Sequence, residues 1–187
     1  MLVEALKAGR GLELRQLTLR DARPLFALVE ANRERLSRWL PWPEANRRVL
    51  DSRAYILLSR RRAQAGLGQS FGLWWRGELV GVAGFNWVDR ANRCGAIGYW
   101  LAEAAQGRGL MTAAVAALLR HGFRTLELNR IEIRAGVRNL RSRAIPERLG
   151  FRREGILRQA ERLGERYVDH VVYGLLASDW KAGRKGR

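Results

Sequence analysis

Ala96-Ile97-Gly98-Tyr99-Trp100-Leu101-Ala102-Glu103-Ala104-Ala105-Gln106-Gly107-Arg108-Gly109-Leu110-Met111-Thr112 changes its hydrophobic period partway along. Ile97, Tyr99 and Leu101 alternate with Gly98 and Trp100, the period-2 pattern of a strand built from β-favouring residues. Beyond Gly109, the residues Leu110, Ala114, Ala117, Leu118 and His121 recur at helical spacing, mostly on good helix formers. The stretch therefore predicts a strand, a glycine-bearing loop and a helix in succession. Such a junction suits an anion. First-turn amides have no intrahelical partner, the macrodipole adds positive charge, and glycine lets a phosphate come close to the backbone. Arg108 adds a full charge, and a pyrophosphate fits the description. Two glycines before a helix also mark an ordinary turn. There is no Gly-Lys-Ser/Thr ending and no G-x-G-x-x-G, so neither common nucleotide motif is present.

A second stretch follows roughly one supersecondary unit later: Val137-Arg138-Asn139-Leu140-Arg141-Ser142-Arg143-Ala144-Ile145-Pro146-Glu147-Arg148-Leu149-Gly150-Phe151. Taken together, the two resemble the GNAT acyl-CoA N-acyltransferases. In that family Q/R-x-x-G-x-G/A cradles the coenzyme A pyrophosphate, and N-x-x-(A/S)…LGF forms the next helix beside the pantetheine arm. Gln106-Gly107-Arg108-Gly109-Leu110-Met111 matches the first motif, with Met111 replacing the small last residue. Asn139, Ser142 and Leu149-Gly150-Phe151 match the second. The resemblance implies acetyl-CoA as the cofactor. It implies that Tyr99, Trp100, Leu101, Gln106, Gly107, Arg108, Gly109, Leu110, Met111, Thr112, Asn139 and Ser142 bind it.

Length and composition agree with such an enzyme. A chain of 187 residues with 47% hydrophobic residues can bury one sizeable core. No apolar run approaches the ~18 residues of a membrane span, and the N-terminus lacks a signal-peptide pattern. The single Cys94 cannot form an internal disulfide, and it reads as a packed strand residue, so a cytoplasmic location is expected. Two histidines and one cysteine leave no metal-ligand cluster. The net charge is +17, carried almost entirely by arginine, and the pI is near 11.5. That field attracts anions such as nucleic acid, the ribosome or a polyphosphate coenzyme.

Along the chain, residues 12–19 read as a first strand, with Asp21 capping a helix that carries Pro24 in its first turn and runs to about Asn32. Ser37-Arg38-Trp39-Leu40-Pro41-Trp42-Pro43 reads as a loop; its tryptophans either cover the core edge or wall an acceptor pocket. The segment resembles one in the RimJ/RimL-type GNAT enzymes, which acetylate the N-termini of ribosomal proteins. Residues 46–65 form an amphipathic helix with a solvated Arg60-Arg61-Arg62 run. Strands follow at 70–76, 79–87, 94–101 and 130–137, with a tight turn at Arg76-Gly77-Glu78. Residues 151–180 form a long hairpin with its tip at Gly164-Glu165-Arg166. The basic segment 181–187 reads as frayed. The fold implied is mixed α/β, as one domain over 1–187: a mostly antiparallel, twisted sheet of about seven strands with a parallel splayed pair, flanked by about four helices.

The resemblance also implies direct acetyl transfer from acetyl-CoA to a primary amine, with a backbone N–H of the strand 97–101 facing the acyl oxygen. Family members often carry a tyrosine acid seven residues after the asparagine. Here that position is Pro146, which excludes it; the RimJ/RimL-type resemblance, with a serine three residues after the asparagine, implies Ser142 as the catalytic acid, and as a plain helix residue it would cap or back-bond its own helix. Pro146 should also bend the helix or delay its start. The family's glutamate before I-G-Y-W is Ala96 here, so the base is left open among Glu34, Glu44, Asp89, Glu103 and a water chain. An α-amine, with a pKa of ~7.7–8.0, needs less help than a lysine at ~10.4, which favours a protein N-terminus. Acceptor contacts are expected at Trp39, Trp42, Asn86, Trp87 and Tyr167, with His170 read as an ordinary strand histidine. The partners expected are acetyl-CoA and an amine acceptor such as a ribosomal protein N-terminus; a homodimer is allowed and a membrane is not. Two alternatives stay open: acetylation of a small amine, aminoacyl nucleotide or antibiotic, and a non-catalytic nucleic-acid-binding module.

Overall fold

Eight strands form one mixed sheet in the computed structural model, which describes residues 3–9 and 11–180. The strands are β1 (Ala5–Gly9), β2 (Leu12–Arg15), β3 (Gln69–Trp75), β4 (Glu78–Asp89), β5 (Cys94–Leu101), β6 (Arg130–Gly136), β7 (Arg152–Leu163) and β8 (Arg166–Leu176). Their spatial order is β1-β2-β3-β4-β5-β6-β8-β7. Every neighbouring pair is antiparallel except β5 and β6. The helices are α1 (Ala22–Glu30), α2 (Arg33–Ser37), α3 (Val49–Gln64), α4 (Leu110–Arg124) and α5 (Leu140–Arg148). Among the described residues no helix is long and apolar enough to cross a membrane.

One apolar cluster fills the space between the sheet and α4. It joins Phe71, Leu73, Phe85, Ile131, Ile133 and Tyr173 to Ala114, Val115, Leu118 and Leu119. The helical spacing seen in the sequence is therefore the buried face of α4, where each leucine removed from water contributes roughly 1.5–3 kcal/mol as an upper estimate. A second cluster joins Leu17, Leu25, Val29, Ile56, Leu79 and Val82 under α1 and α3.

The β5–β6 pair positions the site. Their parallel pairing runs only from Cys94↔Arg130 to Ala96↔Glu132. Beyond that fork β5 stays paired with β4 as far as Leu101↔Gly81, and β6 stays paired with β8 as far as Gly136↔His170. Residues 97–101 and 133–136 thus have a strand partner on one side only. A strand alternates which edge its N–H and C=O groups face, so backbone polar groups line the opening between them. Glu132 holds the closed end. It is buried and ion-paired with Arg134 at 2.9 Å and Arg130 at 3.5 Å.

Several expected boundaries move. β1 was not anticipated, because Ala-Leu-Lys-Ala-Gly has no β-branched residue and draws its order from pairing with β2. The first predicted strand stops at Arg15, and a 3₁₀ turn at Leu19–Asp21 leads into α1. Asp21 caps backwards: its Oδ2 accepts from Thr18 N at 2.7 Å and from Thr18 Oγ1 at 2.9 Å. α2 occupies Arg33–Ser37, reaching the start of the stretch read as loop. α3 begins at Val49 rather than Asn46. Asp51 Oδ2 accepts from Arg47 N at 3.0 Å and Arg48 N at 2.7 Å, which fixes the start there. α5 starts at Leu140 and runs through Pro146 without a delayed start. The basic tail at 181–187 lies outside the described residues.

Candidate active site: the opening between β5 and β6

β5 ends at Leu101, and a 3₁₀ turn (Glu103–Ala105) leads to Gly107 and Gly109, with φ of 74° and 73°. Residues with a side chain rarely adopt that conformation, so glycine is strongly favoured at both. Gly109 is the N-cap of α4 and offers no side-chain oxygen to the first-turn amides. A Cβ built on Gly107 would meet nothing within 4 Å, so the space above it is free. The loop expected to hold a pyrophosphate therefore presents uncapped amides to an open surface.

Arginines converge on that surface. Arg108 lies over the Trp75 ring at 5.1 Å, beside Arg76 at 4.8 Å. From α5, Arg141 Nη1 donates to Gln106 Oε1 at 3.0 Å, and Arg148 Nη2 donates to Thr112 Oγ1 at 3.3 Å. These bonds, one from the first turn of α5 and one from its last residue, lay α5 alongside the start of α4. Beneath the loop, Arg35 Nη2 donates to Leu101 O at 2.6 Å, while its buried Nε has no protein partner. Burial lowers the Arg35 pKa, yet a guanidinium keeps its charge at neutral pH. Gln106 Nε2 also reaches Leu101 O, at 3.3 Å. Arg35 was not anticipated: it acts from a helix far away in sequence, and nothing in the local pattern marks it.

Across the opening, Asn139 caps α5 through Ser142 N, which donates to its Oδ1 at 3.2 Å. Ser142 Oγ donates to Tyr99 Oη at 3.3 Å, and Tyr99 Oη donates to Ser142 O at 2.9 Å. The second bond follows from Pro146. A proline has no N–H, so the carbonyl four residues earlier, that of Ser142, loses its helical donor. The Tyr99 hydroxyl, arriving from β5, takes that place. Burial pushes the Tyr99 pKa well up, so the phenol stays protonated and remains a donor. Arg143 anchors the same turn, donating to Val137 O at 2.8 Å and to Tyr173 Oη at 3.0 Å.

The acceptor-side residues divide. Trp39 lies against Gly136 at the end of β6, where a Cβ would come within 3.5 Å of its ring. Arg166 Nη2 donates to Arg38 O at 2.9 Å, which folds the β7–β8 turn onto the Trp39 loop. Tyr167, 58% exposed, stands at that turn. Asn86 lies across Gly98, whose absent Cβ leaves room for the amide. Trp42 instead packs at a tilt on Trp100, with centroids 5.9 Å apart, against the cluster under α1 and α3. Trp87 is opposite Ala96, at the far end of β5 from the glycine loop.

Three of the four carboxylates considered as base are already engaged by neighbours. Glu34 pairs with Arg38 and Glu44 with Arg47. Asp89 accepts from Asn92 N and Nδ2, and these bonds lower its pKa. Glu103 sits exposed in the 3₁₀ turn. A pair not anticipated stands by the mouth: His170 Nε2 lies 3.3 Å from Glu161 Oε2. His170 is opposite Gly136 on β6, the glycine that Trp39 covers.

Residues 11–152 match the family model described as "Acetyltransferase (GNAT) domain". The chain belongs to the GNAT acetyltransferase family. YdaF of Bacillus subtilis (strain 168), provisionally named a ribosomal N-acetyltransferase, is 38% identical over 176 residues, covering 94% of this chain and 96% of its own. The ribosomal-protein-serine acetyltransferase of Escherichia coli (strain K12) is 34% identical, covering 92% of this chain and 96% of that one. Among solved structures, RimL, a ribosomal L7/L12 alpha-N-protein acetyltransferase in complex with coenzyme A, superposes with a TM-score of 0.90 at 31% identity. It covers 92% of this chain and 98% of that one. The splayed β5–β6 pair, the Gly107–Gly109 loop and the start of α5 are thus parts of a GNAT fold, as expected from the two motifs.

Proposed function

We propose that this GNAT enzyme transfers the acetyl group of acetyl-CoA to the N-terminal α-amine of a ribosomal protein. One observation carries the reading: the strand opening is bordered at once by the uncapped, arginine-flanked start of α4 and by the Ser142–Tyr99 pair. Named activities of relatives that span nearly all of the chain support the acceptor class.

Acetyl-CoA brings the thioester to be aminolysed. The amides of Gly107 to Thr112, with Arg108 and Arg141, hold its pyrophosphate. Free N–H groups on the open edge of residues 97–101 donate to the acyl oxygen, where fixed dipoles stabilise developing charge. The Ser142 hydroxyl turns from Tyr99 toward the departing sulfur and relays to it the proton that the attacking nitrogen sheds as the tetrahedral intermediate collapses, so the serine ends protonated; Tyr99, bonded to Ser142 O, keeps that residue in place. The Glu161–His170 pair accepts the proton that the ammonium must lose before it attacks. Trp39 and Tyr167 flank the acceptor's entry, with Asn86 lying across the open strand. The reading places the enzyme in the cytoplasm with its ribosomal substrates, and the +17 charge suits an acidic or ribosome-associated partner.

The test is incubation with acetyl-CoA and ribosomal protein L7/L12, followed by mass spectrometry of the N-terminal peptide and by a thiol assay for released coenzyme. One acetyl group on the α-amine, matched by free thiol, is expected. Acetylation of lysines alone, or coenzyme binding with no thiol release over background, would overturn the reading.

A further inference from the structure

The outer face of α3 lacks any cover from the rest of the described fold. Leu50, Arg53, Ala54, Leu57, Leu58 and Arg61 follow one another at helical i, i+3, i+4 spacing, so they share one face. All six are exposed, whereas Ser52, Ile56 and Ala63 on the other side are buried. Leu50, Leu57 and Leu58 are 60%, 44% and 58% exposed, and Leu67 just past the helix is 51% exposed. One exposed leucine is ordinary on any surface; a row of them along one element marks a contact. Among the described residues, Arg53 and Arg61 meet no carboxylate. Asp51, the acidic residue of the first turn, is already held by the backbone of Arg47 and Arg48.

We infer that this face docks an acidic amphipathic segment of the acceptor protein, whose leucine-like side chains cover the apolar row and whose carboxylates meet Arg53 and Arg61. The inference rests on the proposed acetylation of a protein α-amine. Charge decides against a second copy: a two-fold pairing would set the arginines of one helix against those of its twin, in molecules carrying +17 each. It decides against RNA as well, because phosphates would neutralise the arginines and leave the leucines without apolar partners. The face is also aligned with the site. Its start is tied to the Trp42 loop by Asn46 and Ser52, which bond at 3.1 Å, and its end meets Asn86 through Arg62 Nη2, which donates to Asn86 O at 2.8 Å. A body held along its roughly 24 Å length lies on the helix whose end holds Asn86, the residue that crosses the open strand at Gly98.

Two readouts test this. Fluorescence anisotropy of a labelled acidic Leu/Glu amphipathic helix measures docking without chemistry. Steady-state kinetics compare the acceptor tetrapeptide Ser-Ala-Gly-Ala with the same tetrapeptide fused by a flexible linker to that helix. We expect saturable binding, and for the fusion a KM about tenfold lower at unchanged kcat, the gain coming from effective concentration. Both effects should vanish in Leu57→Glu/Leu58→Glu. In Arg53→Glu/Arg61→Glu they should pass to a Leu/Lys helix, with tetrapeptide kinetics intact in both variants. Equal KM values, or an advantage that survives the substitutions, would overturn the inference. So would tight binding of labelled oligo(U) RNA lost in the same variants without binding of the acidic helix, or a dimer in light scattering that Leu57→Glu/Leu58→Glu dissolves. Helix binding without acetylation of either acceptor would refute the proposed reaction and leave the docking surface standing.

Discussion

Removing the Tyr99 hydroxyl should cost more when Pro146 is present than when it is replaced by alanine. Tyr99 Oη donates to Ser142 O at 2.9 Å, and that carbonyl has no helical donor because residue 146 is a proline. Leaving a buried acceptor unpaired costs roughly 1–3 kcal/mol. Ser142 is half-buried, so water can replace part of the lost bond, and Tyr99→Phe should destabilise by about 1–2 kcal/mol. Pro146→Ala restores an N–H four residues after Ser142, and the same Tyr99→Phe change should then cost about 0.5 kcal/mol, that of a redundant bond. The loss of proline packing and the gain in helix propensity occur on both arms of the cycle and cancel. The coupling energy should therefore be close to 1 kcal/mol. Urea unfolding of the four proteins measures it, provided the m-values agree. Equal Tyr99→Phe costs in both backgrounds, within about 0.3 kcal/mol, would mean that the phenol does not stand in for the missing amide.

Ser142→Ala should lower kcat by roughly 10²-fold, in the lower range for a lost proton donor, with little change in the KM for acetyl-CoA; a thiol-release assay reads both. Gly109→Val forces a β-branched residue to a φ of 73° and should abolish coenzyme protection. The wild-type protein should gain ~2.7 kcal/mol at 100 times the dissociation constant of coenzyme A, measured by thermal unfolding. Glu161→Gln should reduce kcat/KM for a peptide α-amine several-fold, and steady-state rates of the variant and wild type at neutral pH check it. His121 is buried against Phe85, and burial lowers its pKa below the ordinary ~6.5. The native state then binds fewer protons than the unfolded chain, so stability present above ~6.5 is lost as pH falls toward the folded value. His121→Phe should flatten that loss in urea midpoints measured from neutral to mildly acidic pH.

Local pattern carried the glycine loop, because every part of it lies within one stretch: the alternation of β5, the two glycines and the helical spacing of α4. The motif drew attention to Asn139 and Ser142, but that the asparagine caps α5 through Ser142 N was seen only in the structure. Arg35 and the Glu161–His170 pair were not legible in the sequence. Arg35 reaches Leu101 O across 66 residues of sequence, and no local rule reports such a contact. Glu161 pairs with Val168 in the β7–β8 register, which puts His170 two residues on and on the same face. That diagonal depends on a bulge between Leu157 and Glu161, where Gln159 takes a φ of 49°. A bulge shifts which side chains share a face, so the pair could be found only once the register was known.

The same reasoning explains how a helix with a proline at its seventh position can border a reaction site. In an isolated helix Pro146 would leave one carbonyl unpaired and the last turn loose. Here the orphaned carbonyl belongs to Ser142, the residue proposed to pass the proton, and its replacement donor comes from β5, the strand proposed to face the thioester. The proline thus turns an internal helical bond into a bond between α5 and β5 across the opening. Ser142 Oγ is then held against the phenol from the same side, at 3.3 Å, and Arg143 pins the following residue to Val137 O and Tyr173. A tyrosine at position 146 would reach the site with its own hydroxyl but would leave Ser142 O satisfied within the helix. Replacing the proline by tyrosine therefore changes two things at once, and only the cycle with Tyr99→Phe separates the supply of a proton from the placement of Ser142.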